Sequence, residues 1–145
     1  MEVVVRKSEH LEGGVSAPSS KAYTHRMLIA ALLSNGTSKI SNPLVSDDTK
    51  ATLRAVEAFG AEIELQDNCW RVNGVESLRA PKSPIDCGES GATFRFMIPL
   101  AALASDSSIF TFGPSLERRP VAPLLQRLKQ LGTESNLQPR EGSSF

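Results

Sequence analysis

The chain has 145 residues, of which 40% are hydrophobic and 22% charged, ordinary proportions for one soluble folded core. Its 16 basic and 16 acidic residues cancel, which excludes bulk attraction to nucleic acid or to an anionic membrane and leaves room only for a local basic pocket. The longest apolar run, Phe94–Ala104, is too short for a membrane span and contains Arg95 and Pro99, no signal-peptide pattern precedes it, and Cys69, Cys87, His10 and His25 lack metal-ligand spacing, so the cysteines read as reduced structural thiols in a cytoplasmic protein.

In chain order, the first predicted helix runs from Ser20 to Ser34, with Tyr23, Met27, Ala30, Ala31 and Leu33 at helical spacing and Gly36 just past its end. Its opening, Ala17-Pro18-Ser19-Ser20-Lys21-Ala22-Tyr23-Thr24-His25-Arg26, places a Pro/Ser turn and two cations where unpaired amides and the positive dipole end favour an anion. An ordinary cap followed by two exposed basic residues is the plainer reading, and the segment alone does not separate the two. Thr37–Ser41 reads as a short strand. Ser46 caps a second helix with Asp47 and Asp48 in its first turn and Leu53, Val56, Ala58 and Phe59 as its core face, ending at Gly60. Ala61–Gln66 and Trp70–Asn73 read as a hairpin turning at Asp67-Asn68.

Pro84–Cys87 predicts a strand leading into Asp86-Cys87-Gly88-Glu89-Ser90-Gly91-Ala92-Thr93-Phe94-Arg95 and a helix over Ser90–Ala104, with Pro99 as a kink point. Gly88 and Gly91 allow close approach of a ligand to the backbone, and Arg95 at the edge of an apolar run needs an anionic partner, either a protein carboxylate or a phosphate. Ser108–Phe112 reads as a strand. A last helix starts at Pro120 and carries Val121, Leu124, Leu125, Leu128 and Leu131 as a stripe up to Gly132.

These two stretches repeat one another. Met27 to Met97 is 70 positions, Asn42-Pro43 to Gly113-Pro114 is 71, and Gly60 to Gly132 is 72, so each copy is a β-α-β-α-β-β supersecondary unit. Unit one covers about residues 14–75 and unit two about 80–145, with the middle of its closing hairpin expected near Glu141-Gly142 and the sequence stopping at Phe145 partway through its last strand.

The strings PSSKAYTHRMLIAALLSNGTSKISNPLVSDDTKATLRAVEAFGA, DCGESGATFRFMIPLAAL and LERRPVAPLLQRLKQLG, in this order, resemble the N-terminal part of the 5-enolpyruvylshikimate-3-phosphate synthase family. The Tyr23-Thr24-His25 and Cys87-Gly88-Glu89-Ser90 wording is similar to its archaeal-type branch. The resemblance implies an α/β fold of six such units in two domains, about two of them present here, with residues 1–13 forming a strand that pairs with the other domain and 14–145 a partial N-terminal domain. It implies transfer of the enolpyruvyl group of phosphoenolpyruvate to shikimate 3-phosphate with release of phosphate, without cofactor or metal, by a cytoplasmic enzyme that is monomeric at full length. Lys21, Gly91 and Arg119 would then bind phosphoenolpyruvate and Arg26 shikimate 3-phosphate, with Ala22, Asp48, Glu89 and Arg95 at neighbouring motif positions. The acid/base groups are expected in later segments, so this chain alone is expected to be inactive.

Three positions depart from the family pattern: Ala22 replaces a serine that touches the shikimate phosphate, Ser19 a glycine, and Ala92 a threonine. A related transferase acting on a nucleotide sugar would show Lys-Asn where this chain has Lys21-Ala22, and an RNA-end-processing relative would be basic or centred on histidine. The alternative of a different class is a non-catalytic anion-binding or interaction domain built on the same repeat.

Overall fold

The computed structural model describes residues 2–137. Its elements follow the repeat: α1 (Lys21–Leu32), β1 (Thr37–Ser41), α2 (Asp47–Ala58), β2 (Glu62–Gln66) and β3 (Cys69–Asn73) in unit one, then β4 (Ile85–Asp86), α3 (Gly91–Ala101), β5 (Phe110–Thr111), α4 (Pro114–Glu117) and α5 (Ala122–Gln130) in unit two. Local chemistry sets the helix starts. Ser20, Ser46 and Ser90 each accept a hydrogen bond from the amide three residues on, and Ser46 with Thr49 closes a capping box.

Strands β1, β3 and β2 form one sheet in that order, with β3 antiparallel to both neighbours; Ile40 and Leu65 stand opposite Trp70, and Ile63 opposite Val72. The period-2 alternation turns Trp70 and Val72 inward, where they join Ile40, Leu28, Leu32, Val56 and Phe59 in the core. In unit two β4 runs parallel to β5, and Phe94 of α3 packs edge-on against Phe110 and tilted against Phe112. The core is continuous across both units, since Ile85, Cys87, Met97 and Leu100 belong to the same cluster as Phe59 and Val72. Cys69 and Cys87 are free, and burial, reinforced by Asp86 and opposed by Arg54, pushes the Cys87 thiol up to about 12. Such a thiol is chemically inert at neutral pH.

Several expectations are corrected. The apolar residues of α1 form two stripes, and the one that is buried is Thr24, His25, Leu28, Ala31 and Leu32; Tyr23, Met27 and Leu33 are exposed, and of the five spaced positions only Ala31 reaches the core. Helix α3 passes through Pro99 but ends at Ala101, short of Ala104. Pro120 is not helical: α5 starts at Ala122, with Pro123 in its first turn, because the residues before it form the extra turn α4 that the sequence reading lacked. Leu131 of the expected stripe is exposed, as is Ala58.

Residues 2–20 form no strand among the described residues and are almost wholly exposed. The strand expected over residues 1–13, and the strand that should lead unit one, both lack a hydrogen-bonded partner edge here, and an extended segment gains no order without one. The closing hairpin expected around Glu141-Gly142 lies outside the described residues.

One close approach locks α1 to the sheet. Gly74 follows β3 directly; its N–H bonds the Gly36 carbonyl at 3.0 Å, and the next amide, Val75 N–H, bonds the Leu32 carbonyl at the end of α1 at 2.9 Å. A Cβ on Gly74 would overlap the carbonyl oxygens of Ala31 and Ser34 and lie 2.9 Å from that of Leu32, all of them backbone that cannot swing aside. Gly74→Ala should therefore cost about 1–3 kcal/mol, the usual range for overpacking a close-packed site. Urea unfolding of the two proteins measures this, and equal midpoints would remove Gly74 from the account.

Candidate functional site

Two helices of different units, α1 and α3, open with the same grammar. Ser20 and Ser90 are caps, and the first helical residues are Lys21 and Gly91, 70 positions apart. The first supplies a cationic side chain, the second a backbone without a Cβ.

At α1, Lys21 Nζ donates to Asp48 Oδ2 of α2 at 2.7 Å, in a half-exposed ion pair. Asp48 is thus more than a dipole-stabilised carboxylate of a helix first turn. Arg26 Nη1 donates to the Ala22 carbonyl at 2.9 Å, and its guanidinium lies over the Phe96 ring of α3 at 5.2 Å, a cation–π contact that leaves its remaining donors available. Ala22 contributes this carbonyl and an exposed methyl. The loop before α2 is tied in by Thr24, whose Oγ1 accepts from Leu44 N–H at 2.9 Å, and by Thr49, whose hydroxyl donates to the Leu44 carbonyl at 2.7 Å.

At α3, Gly91 is needed for space. A Cβ there would lie 2.9 Å from Arg95 Nη1, 3.2 Å from Arg119 Nη1 and 3.3 Å from Leu116 Cδ2, so two guanidinium groups gather over the start of this helix. Arg95 also donates to the Gly91 carbonyl at 3.3 Å and to the Pro120 carbonyl at 3.1 Å. Its partners are therefore backbone oxygens, not the carboxylate that the sequence left open as one alternative. The Gly91 N–H is spent on the Glu89 carbonyl at 3.1 Å and the Thr93 N–H on Ser90 Oγ at 3.2 Å, so the two cations stand at a positive helix end where Ala92 N–H is the first-turn amide without a hydrogen bond among the described residues.

Glu89 turns away from this cluster: its carboxylate accepts from the Ser115 hydroxyl and, at 3.5 Å, from the Ser115 N–H in the first turn of α4. Gly88 adopts φ +52° and donates to Asp86 Oδ1, and its Cβ direction is open, so it serves the turn and does not face the guanidinium groups. The structure thus brings together Lys21 with Asp48, and Gly91 with Arg95 and Arg119. Arg26 bridges from α1 to α3 through Phe96, while Glu89 is occupied by α4.

Sequence reasoning missed the layer beneath. His25 Nδ1 lies 2.7 Å from Thr52 Oγ1, Thr52 Oγ1 lies 2.6 Å from Thr93 Oγ1, and Thr93 Oγ1 lies 2.7 Å from Ser90 Oγ. All four side chains are buried, His25 with only 1% of its surface exposed. The signal lay in plain view as three polar residues at core positions of α1, α2 and α3, but one histidine on an apolar face carries little information by itself. Burial holds the His25 imidazole below its ordinary range; Asp48 opposes that shift, and Lys21 and Arg26 add to it.

The chain matches the family model described as EPSP synthase (3-phosphoshikimate 1-carboxyvinyltransferase) over residues 5–143. It is 44% identical over 134 residues to the 3-phosphoshikimate 1-carboxyvinyltransferase of Methanococcus maripaludis strain C6, covering 92% of this chain and 31% of that protein. The enzymes of the same name from Methanothermobacter thermautotrophicus and Chlamydia caviae are 43% and 40% identical over 93% and 88% of this chain. An EPSP synthase structure from Acinetobacter baumannii superimposes with a TM-score of 0.80 at 26% identity over 91% of this chain and 31% of that one. The chain therefore spans about a third of the length of the curated relatives it matches.

The lowered His25 pKa has a measurable consequence with a definite sign. An unfolded imidazole takes up a proton below about pH 6.5, whereas the buried one does so only at lower pH, so stability is lost as pH falls from about 6.5 toward the folded value. Glu57, raised by burial, acts in the opposite direction, but it is common to the parent and to His25→Gln. The difference between the two urea-unfolding profiles over pH 5–7 isolates His25; parallel profiles would show that its imidazole titrates freely in the fold.

Proposed function

The chain belongs to the EPSP synthase family, and from that premise we propose that it supplies the N-terminal anion-holding part of a 3-phosphoshikimate 1-carboxyvinyltransferase. In this reading the whole enzyme transfers the enolpyruvyl group of phosphoenolpyruvate to shikimate 3-phosphate and releases phosphate, in the cytoplasm. The observation that carries the reading is the gathering of Arg95 and Arg119 over Gly91 at the start of α3.

Both substrates are multiply charged anions, and the reacting carbon must lie where their charges are held. Arg119 and the Ala92 N–H at the positive end of α3 would take the phosphate of phosphoenolpyruvate, with Lys21 as a second cation. Arg26, held flat on Phe96 with donors to spare, would take shikimate 3-phosphate. Ala22 offers that phosphate no hydroxyl, so its grip rests on charge. Asp48 keeps Lys21 aimed, and Glu89 shapes the site by starting α4.

Enolpyruvyl transfer also needs a proton delivered to the methylene carbon and stabilisation of the cationic carbon that results. Cations and helix amides supply neither. The 145-residue chain alone should therefore release no phosphate from phosphoenolpyruvate in the presence of shikimate 3-phosphate, while still binding anions weakly. Phosphate release at rates near the common enzyme value of about 10 per second would overturn this division of labour.

Binding is tested by titrating phosphate and phosphoenolpyruvate while following amide shifts. The amides of Lys21, Ala22, Gly91 and Ala92 should move, Lys21→Ala and Arg119→Ala should each weaken binding about tenfold, the cost typical of one charge-assisted contact, and added salt should weaken it further. Shifts confined to other surfaces, or unchanged affinity in both variants, would defeat the anion-site reading and favour a simple interaction domain.

A further inference from the structure

The buried polar chain lies one helical turn below the ion pair and in the same register. His25 is four residues after Lys21, Thr52 four residues after Asp48, and the bonds Lys21–Asp48 and His25–Thr52 both measure 2.7 Å. Residues four apart stack along one helix face, so the two bonds are rungs of one ladder between α1 and α2. Thr93 extends the lower rung to α3, where it is the third helical residue beginning with Gly91, and its hydroxyl also reaches the Asp48 carbonyl at 3.3 Å.

We propose that His25 is a positioning residue: through Thr52 and Thr93 it fixes the axial register of α1, α2 and α3, and thereby the Lys21–Asp48 pair one turn above and the place of the α3 start beside it. Apolar packing resists a slide through many weak contacts spread over the interface, none of which ties one particular pair of atoms together. A chain of hydrogen bonds with no water to replace it does not slide without leaving buried groups unpaired.

Proton counting fixes its direction. With the Thr93 hydroxyl proton directed at the Asp48 carbonyl, the Ser90 hydroxyl, 2.7 Å from Thr93 Oγ1, is the donor of that pair. The same premise makes Thr52 the donor to Thr93, its proton is then spent, and His25 donates to Thr52 from Nδ1. The opposite direction would leave the Asp48 carbonyl without this donor and place a proton on His25 Nε2, which is buried and has no partner among the described residues. His25 is therefore the neutral Nδ1–H tautomer, and protonation would strand an N–H at Nε2. The groups that bear on its charge are Asp48 from α2 and Lys21 and Arg26 from α1.

The experiment uses the full 145-residue chain. At pH 7, nitrogen-15 spectra of the ring should show a protonated Nδ1 and a bare Nε2; an imidazolium or an Nε2–H tautomer overturns the proton order and with it the proposal. Nuclear Overhauser contacts between the Lys21 Hε and Asp48 Hβ protons should then be lost in folded Thr52→Val, which keeps the volume and removes the hydroxyl, and be restored in Thr52→Ser. Contacts that persist unchanged in Thr52→Val overturn the positioning role, and Thr93→Val is read in the same way. The link to function rests on the anion-site reading and is separately visible: phosphate affinity should fall about tenfold in Thr52→Val and recover in Thr52→Ser. If the parent binds no phosphate at these amides while the Overhauser pattern behaves as expected, the anion site fails and the positioning role stands.

Discussion

Three helices that point their first turns at one region set the central constraint of this structure. Each helix start carries roughly half a positive charge, and Lys21, Arg26, Arg95 and Arg119 add full ones, with Asp48 the carboxylate that pairs directly with one of them. Such an arrangement repels itself, so it persists only because the rest of the chain holds the helices from behind. The apolar core does this without direction. The Ser90, Thr93, Thr52 and His25 chain and the Gly74 contact do it with direction, because each is a hydrogen bond or a backbone approach with no equivalent after a shift.

Most of the fold was legible because the helix starts are written in local chemistry. Ser20, Ser46 and Ser90 mark their helices to the residue, β1 matches its expected span, and the hairpin turns where Asp67-Asn68 predicted. The core face of α1 was not legible for a physical reason: the helix has apolar residues nearly all round, so periodicity offers two stripes and cannot rank them. What ranks them is Thr24, His25 and the residues they reach, contacts that span the sequence from Leu44 to Thr52. The α4 turn was missed because its start is made by Glu89, far back in the chain, and α5 lacks a side-chain cap.

The site was legible in part for the same reason. Lys21, Gly91 and Arg119 sit in local motifs that the repeat aligns, and the family pattern names them. Glu89 belongs to one of those motifs and yet points elsewhere, since its direction depends on Ser115, which no local pattern links to it. A motif fixes where a residue lies along the chain, whereas its partners fix what its side chain does.

The repeat also explains how one fold unit, used twice, gives two different halves of a site. Lys21 and Gly91 occupy equivalent first-helical positions, and Asp48 and Arg119 are 71 positions apart, in step with the repeat. Unit one thus places a cation beside a carboxylate, and unit two a glycine start beside two guanidinium groups. The Lys21–Asp48 pair is half-exposed and so contributes little to stability. It also spends only one of the three ammonium donors. In the proposed site an arriving anion would therefore not need to displace Asp48: it would take the ammonium donors that remain, while Asp48 holds the lysine against the start of α2. Were both units alike, the proposed site would hold either two paired lysines or two glycine starts with no aimed side chain, and neither would offer a phosphate both kinds of donor.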